Sequence, residues 1–335
     1  MPLWLGRFEN LVSLELSSNL LYGSVPYALR NLTSLTHLSL SNNTLISLLL
    51  WLGELKSLVY LVLSENNFTS VEDDFLSSTL SNLCHLEVFD LSESNCQGFA
   101  FKNKGTLSSC NSYALEYMSL SDNEFVGLFS SWLGQFKNLK YLDLRSNSFS
   151  GPIPFFYWKF DKIDNILNGS IPQSLAKLVN LQNLDLSSNY FSGEISQNLG
   201  QLKSLQGPDL SYNYLQGTLN DLINSWPQLM SLMSLDLSYN QIIGSIPESL
   251  QDKMPKLHSL FLHDNLINGS LPISLGKLES LYSFDVSNNK LSSEIPSTIW
   301  NLSSLEWLHL NNNKFQGKLP SSLTNMKELT LLDLG

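Results

Sequence analysis

Aspartate recurs along the chain at one position of a repeated pattern that resembles Leu-Asp-Leu-Ser. The members of this row are Asp90, Asp143, Asp185, Asp209, Asp236, Asp285 and Asp333. Carboxylates that meet on one surface could exchange protons or recruit a cation. The same residues are also ordinary polar positions of a strand with one solvated face. We expect the solvated face, and a cation-recruiting surface is the alternative.

No catalytic constellation accompanies these carboxylates. The five histidines are scattered singly, and the sequence contains no H-E-x-x-H, P-loop, nucleophile-elbow or kinase motif. The sequence therefore predicts no enzyme, no catalytic residue and no cofactor.

Three cysteines, Cys84, Cys96 and Cys110, lie in one stretch of the chain. Their spacing lacks a C-x-x-C pair, so a zinc site is not expected. In an oxidising compartment two of the three would pair and leave one free. Spacing alone does not select the pair.

The composition restricts the partner and the compartment. With 19 basic and 30 acidic side chains the net charge is −11, which does not suit binding to a nucleic-acid backbone. Residues 1 to 14 lack the features of a signal peptide. The most hydrophobic run, Leu45 to Leu63, is interrupted by Glu54 and Lys56 and so does not predict a membrane span. We expect membrane attachment only through segments absent from this chain.

A period of about 24 residues organises the whole chain around the pattern L-x-x-L-x-L-x-x-N. Its asparagines are Asn19, Asn43, Asn66, Asn123, Asn147, Asn189, Asn213, Asn240, Asn265, Asn289 and Asn313. A further unit has Ser94 in the asparagine slot, and Leu329 to Leu334 begins another, giving 13 strand segments. Each asparagine is predicted to bond turn backbone groups and to form a ladder with its neighbours.

This pattern is the leucine-rich-repeat signature and predicts an α/β fold. We expect a right-handed horseshoe or superhelix with a parallel β-sheet on the concave face. The convex side should be irregular or 3-10 helical. Segments such as Gly244-Ser245-Ile246-Pro247 supply a turn and then an extended exit to that side.

Read together, L-x-x-L-x-L-x-x-N-x-L-x-G-x-I-P resembles the plant-specific leucine-rich repeats over nearly the whole chain. The stretch Leu83-Cys84-His85-Leu86, followed by Ser109-Cys110-Asn111, is similar to the membrane-anchored receptor-like proteins of plant immunity. The resemblance implies a ligand-binding ectodomain at the outer face of the plasma membrane or in the apoplast. It also implies a peptide or protein ligand, a co-receptor kinase and a Cys84–Cys110 disulfide.

Two other readings of the resemblance remain open. The chain could be the ectodomain part of a leucine-rich-repeat receptor kinase. It could also be a secreted inhibitor of microbial wall-degrading enzymes, similar to polygalacturonase inhibitors, although such a protein would carry cysteine caps that this sequence lacks.

The repeats depart from their period at three places. Residues 1–10 are predicted to be the tail of a truncated preceding repeat, so we expect residues 11–335 to form a solenoid of about 13 strand-bearing repeats. Residues 67–122 contain two long repeats, and residues 152–168 contain a repeat without its strand. The aromatic run Phe155 to Trp158 in that repeat is either a damaged repeat, which we favour, or an insert that contacts a partner.

Aromatic and basic residues at outward strand positions are the predicted ligand-binding set, because such residues anchor binding surfaces. They are His37, Tyr60, Tyr117, Tyr141, Arg145, Phe261, His263, Trp307 and His309.

Sequons of the form N-x-[ST] provide candidate glycosylation sites. They begin at Asn31, Asn42, Asn67, Asn168, Asn268 and Asn301, a number that chance alone would supply.

Overall fold

The computed structural model describes residues 1–71, 75–99, 107, 109–128, 131–150, 170–319 and 321–335. The predicted strandless repeat at 152–168 and the sequon at Asn168 lie outside these residues. The chain divides into two compact units, Met1–Leu181 and Gln182–Gly335. Each unit is described by itself.

One short strand in each repeat belongs to a parallel sheet, and we call these the main strands. In the first unit they are Ser13–Glu15, His37–Ser39, Tyr60–Val62, Val88–Asp90, Tyr117–Ser119 and Tyr141–Asp143. In the second unit they are Asn183–Asp185, Gly207–Asp209, Ser234–Asp236, Ser259–Phe261, Ser283–Asp285, Trp307–His309 and Leu331–Asp333. Within each unit a main strand pairs in parallel with that of the next repeat. The predicted leucine-rich-repeat solenoid, with its parallel sheet, is confirmed.

A second set of short strands follows the main strands, and we call them the return strands. In the first unit they are Tyr22–Ser24, Thr44–Leu48, Ser70–Val71, Gln97–Phe99, Glu124–Leu128 and Ser148–Ser150. In the second unit they are Ser192–Glu194, Tyr214–Gln216, Asn268–Gly269, Lys290–Glu294 and Lys314–Gln316. They pair in parallel. For example, the strand Ser192–Glu194 pairs with Tyr214–Gln216, with Ser192 opposite Tyr214.

Short helices complete the repeats. The 3-10 helices are Leu3–Arg7, Tyr27–Asn31, Leu50–Glu54, Ser131–Gln135, Gln173–Lys177, Gln197–Gln201, Ile273–Lys277, Ser297–Asn301 and Ser321–Asn325. The α-helices are Phe75–Asn82, Leu219–Ser225 and Leu250–Lys253. None of the helices in the described part of the chain is long and apolar enough to cross a membrane.

Proline sets the direction of the chain where it enters several 3-10 helices. Pro26 precedes the helix Tyr27–Asn31 with φ −63° and ψ 131°, and Pro272 precedes Ile273–Lys277 with φ −70° and ψ 143°. Both conformations are extended, and the proline ring fixes φ near these values. The predicted extended exit from the turn is confirmed.

The core of each repeat is built from leucines that the strand pattern turns inward. Leu38 and Leu61 in the first unit and Leu235 and Leu260 in the second are at most 1% exposed. Each is the central residue of a main strand, and its neighbours on the strand point the other way. Burial of these side chains is the main favourable term that holds successive repeats together.

The motif asparagines form the predicted ladder. Asn213 Nδ2 donates to Leu210 O at 3.3 Å and Ser211 O at 2.9 Å in its own repeat, and to Leu186 O at 2.9 Å in the repeat before. Its Oδ1 accepts from Phe191 N at 3.0 Å. One amide therefore satisfies the turn groups of two repeats, and the ladder prediction is confirmed.

The slot occupied by Ser94 shows how the ladder tolerates a substitution. The Ser94 hydroxyl reaches Leu63 O at 3.2 Å and Ser92 O at 2.8 Å. From the next repeat, Asn123 Oδ1 accepts from both Ser94 N at 3.2 Å and Cys96 N at 2.9 Å. The neighbouring amide thus completes the bonding of this turn.

A disulfide joins two neighbouring repeats of the first unit. Cys84 and Cys110 are bonded, with their Cα atoms 5.5 Å apart, which is the pairing that the resemblance implies. Cys96 is free and fully buried, and its burial raises the pKa of its thiol. The Cys96 side chain therefore packs as a small apolar residue.

Replacement of a buried ladder asparagine should destabilise the protein. We expect Asn213→Ala to lower the free energy of unfolding by about 1–3 kcal/mol, because buried backbone groups lose their partners. Chemical denaturation measures the change. The matched control is Asn19→Ala, since Asn19 occupies the same slot but is exposed, and among the described residues its side chain donates only to Leu16 O and Ser17 O. Equal losses in both variants would contradict the role of the ladder.

Candidate binding faces

The first and third side chains of each main strand point away from the buried central residue. We call the surface that they form, together with the two residues before each motif asparagine, the strand face. Its backbone is already paired within the sheet. The side chains of the strand face are therefore held by a rigid scaffold, as binding residues should be.

The strand face of the first unit carries two stacked aromatic pairs. His37 and Tyr60 have ring centroids 4.6 Å apart, and so do Tyr117 and Tyr141. Each pair occupies equivalent positions on adjacent strands, and the spacing of strands, about 4.8 Å, matches the spacing of stacked rings. Val88 lies in register between Tyr60 and Tyr117. The five side chains form one row, which we call the aromatic row.

Arg145 lies beside this row and is held by two carboxylates. Its Nε is 3.4 Å from Asp122 Oδ2, and its Nη1 is 3.6 Å from Asp143 Oδ2. Tyr141 also donates its hydroxyl to Asp143 Oδ2 at 3.5 Å. Asp143, predicted to face solvent, is only 3% exposed. That prediction is wrong for Asp143, whose buried carboxylate contacts Tyr141 and Arg145.

Tyr117 remains a neutral hydrogen-bonding group. Burial, followed by the negative charges of Asp90 and Asp143, raises the pKa of the Tyr117 hydroxyl. A phenol in this setting keeps its proton and can donate a hydrogen bond to a partner.

The predicted residues of the second unit form a looser group. Phe261 and His263 meet edge to face with centroids 6.5 Å apart. His263 Nδ1 is 3.5 Å from Asp285 Oδ2 of the next repeat. Trp307 is 47% exposed. It lies in register with Ser283 of the preceding main strand, and His309 lies in register with Asp285 of that same strand.

Sequence reasoning missed a second aromatic pair in this unit. Tyr212 and Tyr239 stack with centroids 4.0 Å apart, and the Tyr239 ring meets His263 edge to face at 5.1 Å. Both tyrosines precede a motif asparagine and have φ of 51°, a conformation that recurs at this position along the ladder. The repeated letters Leu-Ser-Tyr-Asn were the available signal.

The Tyr212–Tyr239 pair is coupled through its hydroxyl groups. A hydrogen bond with Tyr212, followed by the charge of Asp264, raises the pKa of Tyr239 to about 12. The Tyr239 hydroxyl therefore stays neutral at any physiological pH.

The aspartate row has a local structural role in several repeats. Asp236 Oδ1 accepts from Ser238 N at 2.9 Å and from the Ser238 hydroxyl. Asp285 Oδ1 accepts in the same way from Ser287. The aspartate thus closes the turn that leaves each of these strands. Its residues are mostly half-buried, so the row is less solvated than predicted.

Most of the candidate glycosylation sites are accessible. Asn31 and Asn301 end 3-10 helices and are exposed. Asn42, Asn67 and Asn268 are exposed as well. Asn42 occupies the position before a motif asparagine and donates to Ser18 Oγ at 3.3 Å, so a glycan there would lie beside the strand face.

The known proteins that this chain resembles agree with its fold. Models of the leucine-rich repeat match residues 230–291 and residues 138–160, 180–202 and 304–326. Receptor-like protein 35 from Arabidopsis thaliana is 31% identical over 169 residues, which are 49% of this chain and 18% of that protein.

Solved plant receptors superimpose on the chain. The structure of PEPR1 with AtPEP1 has a TM-score of 0.77 and 31% identity, and it covers 100% of this chain and 46% of that chain. The Arabidopsis receptor kinase HAESA, solved with the peptide hormone IDA and the co-receptor SERK1, has a TM-score of 0.68 and 28% identity. That match covers 100% of this chain and 51% of that chain. The chain spans about a quarter or less of the length of the curated relatives that it matches.

The charged carboxylate of Asp236 should lower the free energy of unfolding at neutral pH. Burial raises the pKa of Asp236, although the bonds from Ser238 oppose the shift. A raised carboxyl pKa means that folding disfavours the charged form. The contribution of Asp236 to the free energy of unfolding therefore becomes less favourable as the pH rises and the carboxyl group ionises. We expect Asp236→Asn, which can still accept from Ser238, to raise the free energy of unfolding at neutral pH.

Denaturation at several pH values measures this effect. The difference between Asp236→Asn and the unaltered chain should shrink as the pH falls below the ordinary aspartate range. Asp252→Asn, an exposed carboxylate in the helix Leu250–Lys253, is the control and should change little. A less stable Asp236→Asn variant at neutral pH would contradict the assignment.

Proposed function

Since the chain is a leucine-rich-repeat solenoid of the type found in plant receptor ectodomains, we propose that it binds a peptide or protein ligand on the strand face. In this proposal the whole protein acts at the outer face of the plasma membrane or in the apoplast. It recognises its ligand in defence or developmental signalling. The chain binds and does not catalyse.

The aromatic row of the first unit is the observation that carries this proposal. Tyr60 is 37% exposed, and its ring stacks on His37 in a direction that contributes nothing to the leucine core. Stacked rings have few accessible rotamers, so these side chains lose little conformational entropy when a partner binds them. A row of such rings on a rigid sheet is suited to bury an apolar ligand surface.

A co-receptor kinase is the second partner that we propose. Support comes from the resemblance to receptor-like proteins and from HAESA, which was solved together with the co-receptor SERK1. The remainder of the strand face and its edges would provide the contact.

Two alternatives share the binding face but differ in what surrounds it. The chain could belong to a receptor kinase, as HAESA does, and the kinase would then lie outside these residues. It could also be a secreted inhibitor of microbial wall-degrading enzymes. Binding of short peptides favours a receptor, whereas inhibition of a polygalacturonase by the chain would favour the inhibitor.

We also propose glycosylation at four exposed asparagines, Asn31, Asn67, Asn268 and Asn301. Glycans at these positions would leave most of the strand face uncovered. Asn42 is the site at which a glycan would restrict access to the first unit.

Removal of the strand-face aromatics should weaken ligand binding. Short peptides selected from a random display library on the immobilised chain provide the probe. We expect one of two double variants, Tyr117→Ala/Tyr141→Ala or Phe261→Ala/Trp307→Ala, to lower the affinity for the selected peptides. The expected loss is at least tenfold, or about 1.4 kcal/mol. Calorimetry measures the affinity.

The control is Tyr22→Ala, which removes an 80% exposed ring from a return strand. Circular dichroism verifies that each variant is folded. Selected peptides that bind both double variants as tightly as the unaltered chain would overturn the proposed function.

A further inference from the structure

The aromatic row of the first unit is interrupted at Val88. On one side of it Tyr60 stacks on His37, and on the other side Tyr117 stacks on Tyr141. Val88 lies in register with both Tyr60 and Tyr117. A valine side chain is much shorter than a tyrosine side chain, so the row has a recess above Val88 with a tyrosine ring on either side. We call it the valine recess.

Both walls of the valine recess are supported from behind. The ring planes of His37 and Tyr60 differ by 16°, and those of Tyr117 and Tyr141 differ by 5°. Each pair has its centroids 4.6 Å apart, which is close to the strand spacing of about 4.8 Å, so the ring faces point along the row. The second face of Tyr60 and the second face of Tyr117 are therefore turned towards the recess.

The floor of the valine recess is aliphatic. Among the described main strands of the first unit, Val88 is the only aliphatic residue at the first position, and Val62 is the only one at the third. Val62 lies opposite Asp90, so the two valines are diagonal neighbours on adjacent strands. Both are half-buried, and an apolar partner would remove their remaining surface from water.

We propose that Val88 determines the specificity of the strand face of the first unit, and that the valine recess takes one large apolar side chain of an extended peptide ligand. This inference rests on the proposed function, because it names the ligand chemistry that one part of the strand face selects.

The width of the recess sets the size of this side chain. Two strand spacings place the Tyr60 and Tyr117 rings about 9.6 Å apart. Carbon atoms make their best contacts at about 3.5–4.0 Å, so a group about 2–3 Å wide between its outer carbons reaches both walls. A leucine, an isoleucine or a phenylalanine ring turned edge-on has this width. The single methyl group of alanine is too narrow.

The charges beside the recess exclude an acidic ligand residue. Burial, followed by the negative charges of Asp90 and Asp143, raises the pKa of the Tyr117 hydroxyl, so both charges act at this wall. A carboxylate placed in the recess would be repelled by both aspartates. The side chains of Val62 and Val88 offer no hydrogen bond to a buried polar group, which would be left without a partner on the floor.

Peptides selected on the immobilised chain test this specificity. The relevant subset binds the first unit and is identified by loss of binding to Tyr117→Ala/Tyr141→Ala. We expect one position of these peptides to be enriched in leucine, isoleucine or phenylalanine. Each peptide is then synthesised with alanine or with aspartate at that position. Calorimetry should show an affinity at least tenfold lower for both replacements.

Val88→Tyr fills the recess with a ring that the neighbouring strands already carry at the same position. Its free energy of unfolding should not fall, because Tyr60 and Tyr117 occupy the positions in register on either side. The affinity for a leucine peptide should fall at least tenfold, to that of its alanine counterpart. The matched control is Ser13→Tyr, which adds a ring opposite His37 at the end of the row and should leave both affinities unchanged.

Val88→Thr keeps the shape of the floor and adds a hydroxyl group. It should weaken the leucine peptide about fivefold and the alanine peptide less, because a bound leucine would leave the hydroxyl without a hydrogen-bond partner. Circular dichroism and chemical denaturation verify that each variant is folded. This variant tests the recess even if Val88→Tyr does not fold.

The outcomes separate this inference from the proposed function. Peptides that bind the first unit but show no preference for a large apolar residue over alanine overturn the inference and leave the proposed function standing. Equal loss of affinity in Val88→Tyr and Ser13→Tyr also overturns the inference, because added bulk anywhere on the row would then explain the loss. Peptides whose affinity no strand-face variant changes would overturn both.

Discussion

The amide of the motif asparagine is the interaction on which the rest of this structure depends. At Asn265 one Nδ2 donates to Leu237 O of the preceding repeat and to Leu262 O of its own, while Oδ1 accepts from Ile242 N. Without this amide, the buried turn of the repeat would leave backbone groups without partners, at about 1–3 kcal/mol each. The ladder therefore fixes the distance and orientation between repeats.

That constraint separates the structural positions of a repeat from the positions open to variation. The leucines and the asparagine are committed to the core and the ladder, so the outward strand residues can change without loss of the fold. The residue before the asparagine is held at positive φ, even where it is tyrosine, as at Tyr212 and Tyr239. A bulky residue is rarely found in this conformation. Its presence at two consecutive repeats fits a surface kept for recognition.

Sequence reasoning recovered the architecture because each element has a fixed letter pattern. The period identifies the main strands, and the pairing of Cys84 with Cys110 agrees with the family resemblance. Side-chain contacts between repeats were harder to predict from the sequence, because they depend on which side chains meet across the ladder. The stacking of Tyr117 on Tyr141 follows from register, whereas the Tyr212–Tyr239 pair depends on backbone angles that the letters do not state. The burial of Asp143 was not predicted, because its contacts with Tyr141 and Arg145 depend on side-chain positions that the repeat pattern does not specify.

Hydrogen–deuterium exchange of the chain with and without a selected peptide tests the central claim most directly. If the strand face is the binding surface, bound peptide should slow exchange in main strands and in the residues that follow them, such as Tyr141–Asn147 in the first unit or Ser234–Asn240 in the second. Exchange in the 3-10 helices Tyr27–Asn31 and Ser297–Asn301 should not change. Protection confined to those helices and the return strands would contradict the account.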